Sequence, residues 1–116
     1  MDLTGRWNFK EEFDSGKDEG IAILAHAGER VYGMLDFTEY IDEETPFQVK
    51  CKIEGSVIGD KVKMEMVDIE VISVEPIEYF PEIREGIINA KGQIVGSSED
   101  EQGICGVFVF EKANNQ

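Results

Sequence analysis

Apolar and polar residues alternate along most of the chain, which is typical of β-strands with one buried face. The pattern is clearest over residues 47–55, where apolar or small residues hold the odd positions and polar residues the even ones. Residues 61–66 alternate again after Gly59-Asp60, a pair suited to a two-residue hairpin loop. These two segments therefore predict a β-hairpin with one apolar face.

The register of this hairpin follows from its loop. With Gly59 and Asp60 as the loop, Val57 lies opposite Val62, and the apolar faces of both strands coincide. After Met66 the apolar positions change parity, so we expect one extra residue, a β-bulge, near Met66 and Val67. The second strand then continues, bent, over the same core.

The remaining strands are separated by glycine and polar turn residues. We predict them at residues 4–13, 20–25, 30–37, 88–95 and 104–112, with an eighth strand left open within 74–84. No segment has a capped 3.6-residue apolar repeat, so helix should be scarce. The glycines at strand-interior positions, Gly33, Gly55, Gly92 and Gly106, suit strongly coiled strands. The sequence predicts an all-β fold: one antiparallel up-and-down β-barrel of about eight strands, a single domain over residues 1–116.

Composition narrows the range of partners. The 116 residues include 25 acidic and 11 basic side chains, for a formal net charge of -14. This charge repels phosphate backbones and anionic lipids, so we expect neither nucleic acid nor membrane as a partner. Residues 1–5 lack the features of a signal peptide, which favours a cytoplasmic location, although a chain whose signal had been removed would look the same. The oligomeric state stays open.

The opening Leu3-Thr4-Gly5-Arg6-Trp7 resembles the L-T-G-x-W opening of avidins and streptavidins, and its Gly5-x-Trp7 part resembles the G-x-W opening of lipocalins. These families are calycin barrels. Tyr32-Gly33 and Lys91-Gly92-Gln93 are similar to glycine-bearing strands of avidins. The resemblance implies that Trp7 closes one barrel end beneath a basic side chain of the last strand, for which Lys112 is the candidate.

The biotin-binding residues of avidins are not carried over. Phe9 stands where avidins have an asparagine, and Leu35 where they have a tyrosine, so the urea group of biotin would lose its polar partners. Trp7 is the one tryptophan, whereas avidins line their pocket with several. The resemblance therefore implies the fold without biotin binding.

Candidate catalytic and metal-binding residues are few. His26 is the one histidine and is expected to be a solvated turn residue, while Cys51 and Cys105 are expected to be buried free thiols. The acidic runs at 42–44 and 99–101 lack the spacing of a calcium loop and are expected to be solvated. We therefore expect no catalytic residue, metal ligand or cofactor, and a protein that is not an enzyme.

Residues 74–84 carry apolar side chains without periodicity between Pro76 and Pro81. They could form a lid at the barrel mouth, a patch for a protein partner, or a plug, with Tyr79 or Phe80 turned inward. Our leading hypothesis is a non-enzymatic barrel that binds a small apolar ligand in its mouth; the alternative is a structural or protein-interaction module with a filled core. The candidate ligand-binding residues are Phe9, Leu35, Phe37, Met64, Tyr79 and Phe80. A cavity of a few hundred Å³ would favour ligand binding, and converging carboxylates with shifted pKa values would favour an enzyme.

Overall fold

The structure, a computed structural model, describes residues 1–113. Eight antiparallel strands form a closed barrel in which each strand pairs with the next and the last pairs with the first. The strands are β1 (Gly5–Phe13), β2 (Gly16–Ala27), β3 (Arg30–Ile41), β4 (Phe47–Ile58), β5 (Lys61–Ile72), β6 (Glu82–Ile88), β7 (Ile94–Asp100) and β8 (Cys105–Lys112). The predicted all-β, up-and-down barrel is confirmed, including the pairing of its terminal strands. Within residues 1–113, no helix has the length and apolar character needed to cross a bilayer.

The β4–β5 hairpin has the predicted register. Val57 pairs with Val62, and the ladder continues to the pairing of Val49 with Val71. The register shifts by one residue between Lys50 and Lys52, opposite Asp68, whose φ of 51° lies in the left-handed region. The predicted bulge is therefore present, one residue beyond the expected place, and it keeps the apolar side of β5 facing the core.

The prediction of a strand over residues 88–95 was wrong. A turn interrupts it, because the Asn89 side-chain oxygen accepts hydrogen bonds from the backbone N–H groups of Lys91 and Gln93. Gly92 takes a φ of 78° in this turn, so it is a turn glycine and not a strand-interior one. The sequence before the turn belongs to β6, which overlaps the stretch 74–84, left open for an eighth strand, only at residues 82–84; the sequence after the turn forms β7.

Strand-interior glycines allow close backbone approach at two predicted positions. A Cβ atom at Gly33 would overlap the carbonyl oxygen of Ile23, and one at Gly55 would overlap that of Lys63. No larger residue fits at either position unless the strands move apart.

Trp7 closes one end of the barrel, as predicted. Its ring is fully buried, its Nε1 donates to the Leu3 carbonyl oxygen at 2.8 Å, and the Lys112 Nζ lies 5.7 Å from the ring centroid. The prediction for His26 at this end was wrong: its side chain is 12% exposed, accepts from the Leu3 N–H at Nδ1, and bonds the Gly28 carbonyl through Nε2. The histidine thus ties the N-terminal segment to the end of β2. Burial is also confirmed for Cys51 but not for Cys105, which is exposed.

Replacing Trp7 by alanine is expected to lower the free energy of unfolding by about 3–5 kcal/mol, because a large core aromatic and its hydrogen bond are lost. Urea unfolding measures this change. Tyr32→Ala is the matched control, since Tyr32 is 45% exposed on the barrel wall, and it should change the unfolding midpoint little. Equal midpoints for Trp7→Ala and the unsubstituted protein would contradict this account of the closed end.

Candidate ligand-binding site

The opposite end of the barrel is open and contains a cavity of about 390 Å³. Its wall is formed by the ends of the strands and by the β3–β4, β5–β6 and β7–β8 connections. Apolar and aromatic side chains line it: Phe13, Ile41, Phe47, Ile77, Tyr79, Phe80 and Ile104. Carboxyl groups line it as well: Glu11, Glu39, Glu44, Glu78, Glu82 and Asp100. The site therefore combines an aromatic wall with a strongly acidic lining.

The acidic floor of this cavity follows from the strand register. Glu11 pairs with Asp18 across β1 and β2, and Asp18 pairs with Glu39 across β2 and β3. All three side chains are buried, so three carboxyl groups lie side by side on the inner face. Strand β6 adds Glu82, whose carboxylate lies within 4.8 Å of those of Glu11 and Asp18, together with Arg84. We call these five residues the polar floor.

Arg84 is the one cation of the polar floor. It is 1% exposed, its Nε donates to Glu11 Oε1 at 2.8 Å, and its Nη2 donates to Glu82 Oε2 at 3.4 Å. Its guanidinium carbon lies 4.9 Å from the centroid of Phe9, directly on the packed core. Burial alone would lower the pKa of Arg84, but the charges of Glu11 and Glu82 more than reverse this, so the guanidinium stays charged.

The two carboxyl groups bound by Arg84 differ in their pKa values. Burial tends to raise the pKa of Glu11, but the Arg84 charge and hydrogen bonds from Glu82 and Arg84 outweigh it and lower that pKa. Burial and the hydrogen bond with Glu11 raise the pKa of Glu82 to about 8, so near neutral pH it holds a proton for much of the time. Glu11 is therefore the ionised partner of Arg84.

Asp18 is fully buried, and neither of its carboxyl oxygens accepts a hydrogen bond from a donor group of the described residues. Burial, followed by its neighbour Glu39, raises the pKa of Asp18 to about 11. Burial raises the pKa of Glu39 as well. A protonated Asp18 can donate to Glu39, which gives both groups a partner as long as the proton remains.

Tyr79 connects the polar floor to the aromatic wall. Its ring centroid lies 6.4 Å from that of Phe37 and 6.5 Å from that of Phe47, and its hydroxyl donates to Glu82 Oε1 at 3.3 Å. Burial raises the pKa of Tyr79, so the phenol stays neutral and remains a donor. Of the predicted segment 74–84, residues 77–80 line the open end with Tyr79 turned inward, as predicted, whereas residues 82–84 begin β6.

The six candidate ligand-binding residues do not lie together. Tyr79 and Phe80 line the cavity, whereas the other four are at most 2% exposed and do not line it: Phe9, Leu35, Phe37 and Met64. Phe9 packs on Phe110 and beneath Arg84, so the floor separates it from the cavity. On this geometry the four belong to the packed core.

Sequence reasoning missed the polar floor. Glu11 has the same strand parity as Phe9 and Phe13, which marks it as inward, and Asp18 and Glu39 are its neighbours in the ladder. An acidic residue on an apolar strand face was the available signal. Arg84 gave a weaker signal, because the start of β6 was not assigned.

Comparison with known proteins gives a fold and no family. No family model matches the chain, and no curated protein matches it. Among solved structures it is similar to a redesigned β-barrel, mFAP1, bound to DFHBI, with a TM-score of 0.70 and 11% identity over 95% of this chain and 94% of that one. It is also similar to a de novo designed fluorescence-activating β-barrel, with a TM-score of 0.55 and 13% identity over 96% and 94% of the two chains. At these identities the likeness shows the eight-stranded barrel fold alone.

The buried acids predict how stability depends on pH. Folding raises the pKa of Asp18 from its ordinary 3.8 to about 11 and that of Glu82 from 4.5 to about 8. The folded chain therefore binds more protons than the unfolded chain between these limits, so the free energy of unfolding falls as the pH rises. Urea unfolding at pH 5, 7 and 9 should show this decline.

Asp18→Asn removes one of these protons and supplies an amide donor. The free energy of unfolding of this variant should therefore fall less steeply with pH than that of the unsubstituted protein. The difference in slope should be up to about 1.4 kcal/mol per pH unit, the value for one proton. Glu29→Gln is the matched control, since it removes one carboxyl at an exposed turn at the closed end. Parallel stability curves for Asp18→Asn and the unsubstituted protein would contradict the assignment of a retained proton.

Proposed function

We propose that this protein binds a small organic molecule in the open-end cavity and does not transform it. The observation that carries the proposal is a cavity of about 390 Å³ that combines an aromatic wall with a few converging polar groups. Small-molecule sites have this size and this mixture of side chains. A barrel with a filled core, the alternative structural or interaction module, would not leave this space.

The similar solved structures support only the argument that the cavity is large enough for a small molecule. One of them is a barrel of comparable length bound to DFHBI. It indicates that an eight-stranded barrel can hold a dye-sized molecule, in agreement with general barrel geometry. The chemistry of the ligand for this chain has to be inferred from its own lining.

That lining changes the expectation of a purely apolar ligand. Phe47, Tyr79 and Phe80 offer apolar contact on the wall, but Glu11, Glu39 and Glu82 face the same space from the floor. An apolar molecule that reached the floor would exclude solvent from these carboxyl groups without offering them a hydrogen bond, at a cost in free energy. The ligand should therefore have an apolar body and a polar end.

The finer relationship to calycin barrels is part of this proposal. The buried Trp7 beneath Lys112 supports it, because this is the arrangement that the resemblance implies. Phe9 and Leu35 fill the interior where avidins have polar groups. We expect calorimetric titration with biotin to detect no binding, and a dissociation constant below about a micromolar would contradict this assignment.

Nile red, a neutral dye whose emission depends on polarity, tests for the cavity. Tyr79→Ala and Phe80→Ala should each weaken its binding about tenfold, since each removes an aromatic side chain from the wall. Tyr32→Ala on the outer wall is the control and should leave binding unchanged. Absence of binding to the unsubstituted protein by Nile red and by smaller aromatic probes alike would favour the filled-core module and contradict the proposal.

The same variants distinguish a mobile lid from a plug. If residues 74–84 form a plug, both alanine variants should lower the urea midpoint by a core-sized amount. If they form a lid, binding should weaken while the midpoint stays nearly constant. The contacts of Tyr79 with Phe37 and Phe47 favour a plug on its side of the cavity.

An enzyme is the second candidate, favoured by one specific observation. Glu82 and Glu39 both face the cavity with raised pKa values, as acid–base catalysts often do. Burial raises both pKa values, and the hydrogen bond with Glu11 adds to the rise at Glu82. These causes are structural, so we prefer binding without chemistry. A bound ligand recovered unchanged after long incubation supports that preference, whereas conversion that Glu39→Gln abolishes would favour the enzyme.

A further inference from the structure

We infer that the ligand is an amphipathic organic cation: a protonated or quaternary amine whose charged end sits against the polar floor and whose apolar body lies along the aromatic wall. This inference rests on the proposed function and adds the chemical class of the ligand.

The first argument is the charge balance of the floor. Four carboxyl groups, from Glu11, Asp18, Glu39 and Glu82, share the floor with one guanidinium. Arg84 bonds only Glu11 and Glu82, so two carboxyl groups have no cation among the described residues. Protons fill this deficit when the cavity holds no cation. A ligand cation can replace them.

The second argument is the unpartnered carboxyl of Asp18. It is fully buried in the floor, and both oxygens lack a donor group among residues 1–113. Burying such a group is costly unless a proton or a cation compensates. Glu39 is the ladder neighbour of Asp18 and also lines the cavity. A cation bound at Glu39 therefore adds positive charge beside both Glu39 and Asp18.

The wall suits the same ligand. Phe47, Tyr79 and Phe80 present aromatic surface to the cavity, and aromatic faces attract organic cations. Glu44 and Glu78 add negative charge among the cavity-lining residues. Together with the net charge of -14, they attract cations and repel anions at the entrance.

A bare metal ion fits less well, although Glu11, Asp18 and Glu82 could each offer one oxygen within 4.8 Å of the others. Arg84 already bonds two of these three residues, so a metal ion would have to displace it. Calcium also needs six to eight oxygens, and much of the cavity lining is apolar. The volume of about 390 Å³ instead suits a molecule with a ring-sized body.

The test compares three probes of similar shape and different charge: phenyltrimethylammonium, tert-butylbenzene and benzenesulfonate. Titration of the intact chain at pH 7.5, followed by nuclear magnetic resonance, gives each dissociation constant. The cation should bind at least about tenfold tighter than the neutral probe, and the anion should not bind measurably. Because the charge of phenyltrimethylammonium does not change with pH, any effect of pH on its dissociation constant comes from the protein.

Glu39→Gln should weaken binding of the cation about tenfold and leave the neutral probe unaffected. Glu29→Gln, which removes the same charge from the exposed turn at the closed end, is the control and should affect neither probe. Cation affinity of the unsubstituted protein should also rise between pH 6 and pH 9, as the floor gives up protons. The titratable and charged groups in and around the floor come from the neighbouring strands and from the β5–β6 connection: Glu11 (β1), Asp18 (β2), Glu39 (β3), Cys51 (β4), Tyr79 (β5–β6 connection), Glu82 and Arg84 (β6), and Asp100 (β7).

The outcomes separate the two proposals. Equal or tighter binding of the neutral probe overturns the cationic ligand and leaves the binding cavity in place. Failure of all three probes and of Nile red overturns both. Displacement of the cation by millimolar calcium would assign the floor to a metal ion and also overturn the inference. If Glu39→Gln does not fold, the comparison of the three probes on the unsubstituted chain still decides.

Discussion

The buried guanidinium of Arg84 is the interaction on which the organisation of the barrel interior depends. It joins β6 to β1 through Glu11 and rests on the ring of Phe9. A charge at this depth is tolerated because the ionised Glu11 compensates it, and removing Glu11 would leave an uncompensated ion. The interior therefore changes character at this level, from a packed apolar core to a layer of charged groups.

The two ends of the barrel differ because of this layer. Beneath it, side chains such as Phe9, Phe37 and Phe110 fill the interior down to Trp7, which leaves no route for a ligand. Above it, the carboxyl groups cannot be covered by apolar packing without losing solvation, so a cavity remains. We interpret the cavity as a consequence of the floor, and the proposed ligand as a partner for its carboxyl groups.

Much of the fold could be predicted from strand periodicity and turn residues. The β4–β5 hairpin and its bulge follow from local patterns in which each residue type has one structural reason. The role of Trp7 was instead implied by the resemblance of the Gly5-x-Trp7 opening to calycin barrels. Strand 88–95 was misassigned because its apolar residues continue across a turn that depends on the Asn89 side chain, which periodicity does not detect. His26 was misassigned for a similar reason, because its partner Leu3 lies 23 residues away.

The site was harder to predict, since it depends on which strands face each other across a closed barrel. Tyr79 and Phe80 were found because apolar side chains between two prolines need a packing partner. Glu11 and Arg84 are 73 residues apart, and only closure of the barrel brings them together. Their pKa values depend on that proximity and on burial, neither of which appears in the local sequence.

The location of a bound molecule tests the account most directly. Backbone amide chemical shifts, recorded while phenyltrimethylammonium is added, report which residues the probe contacts. We predict shifts confined to the open end, at Phe13, Phe47, Tyr79 and their neighbours, and none around Trp7. Shifts around Trp7 or on the outer wall, or no shifts at saturating probe, would contradict the assignment of the open-end cavity as the binding site.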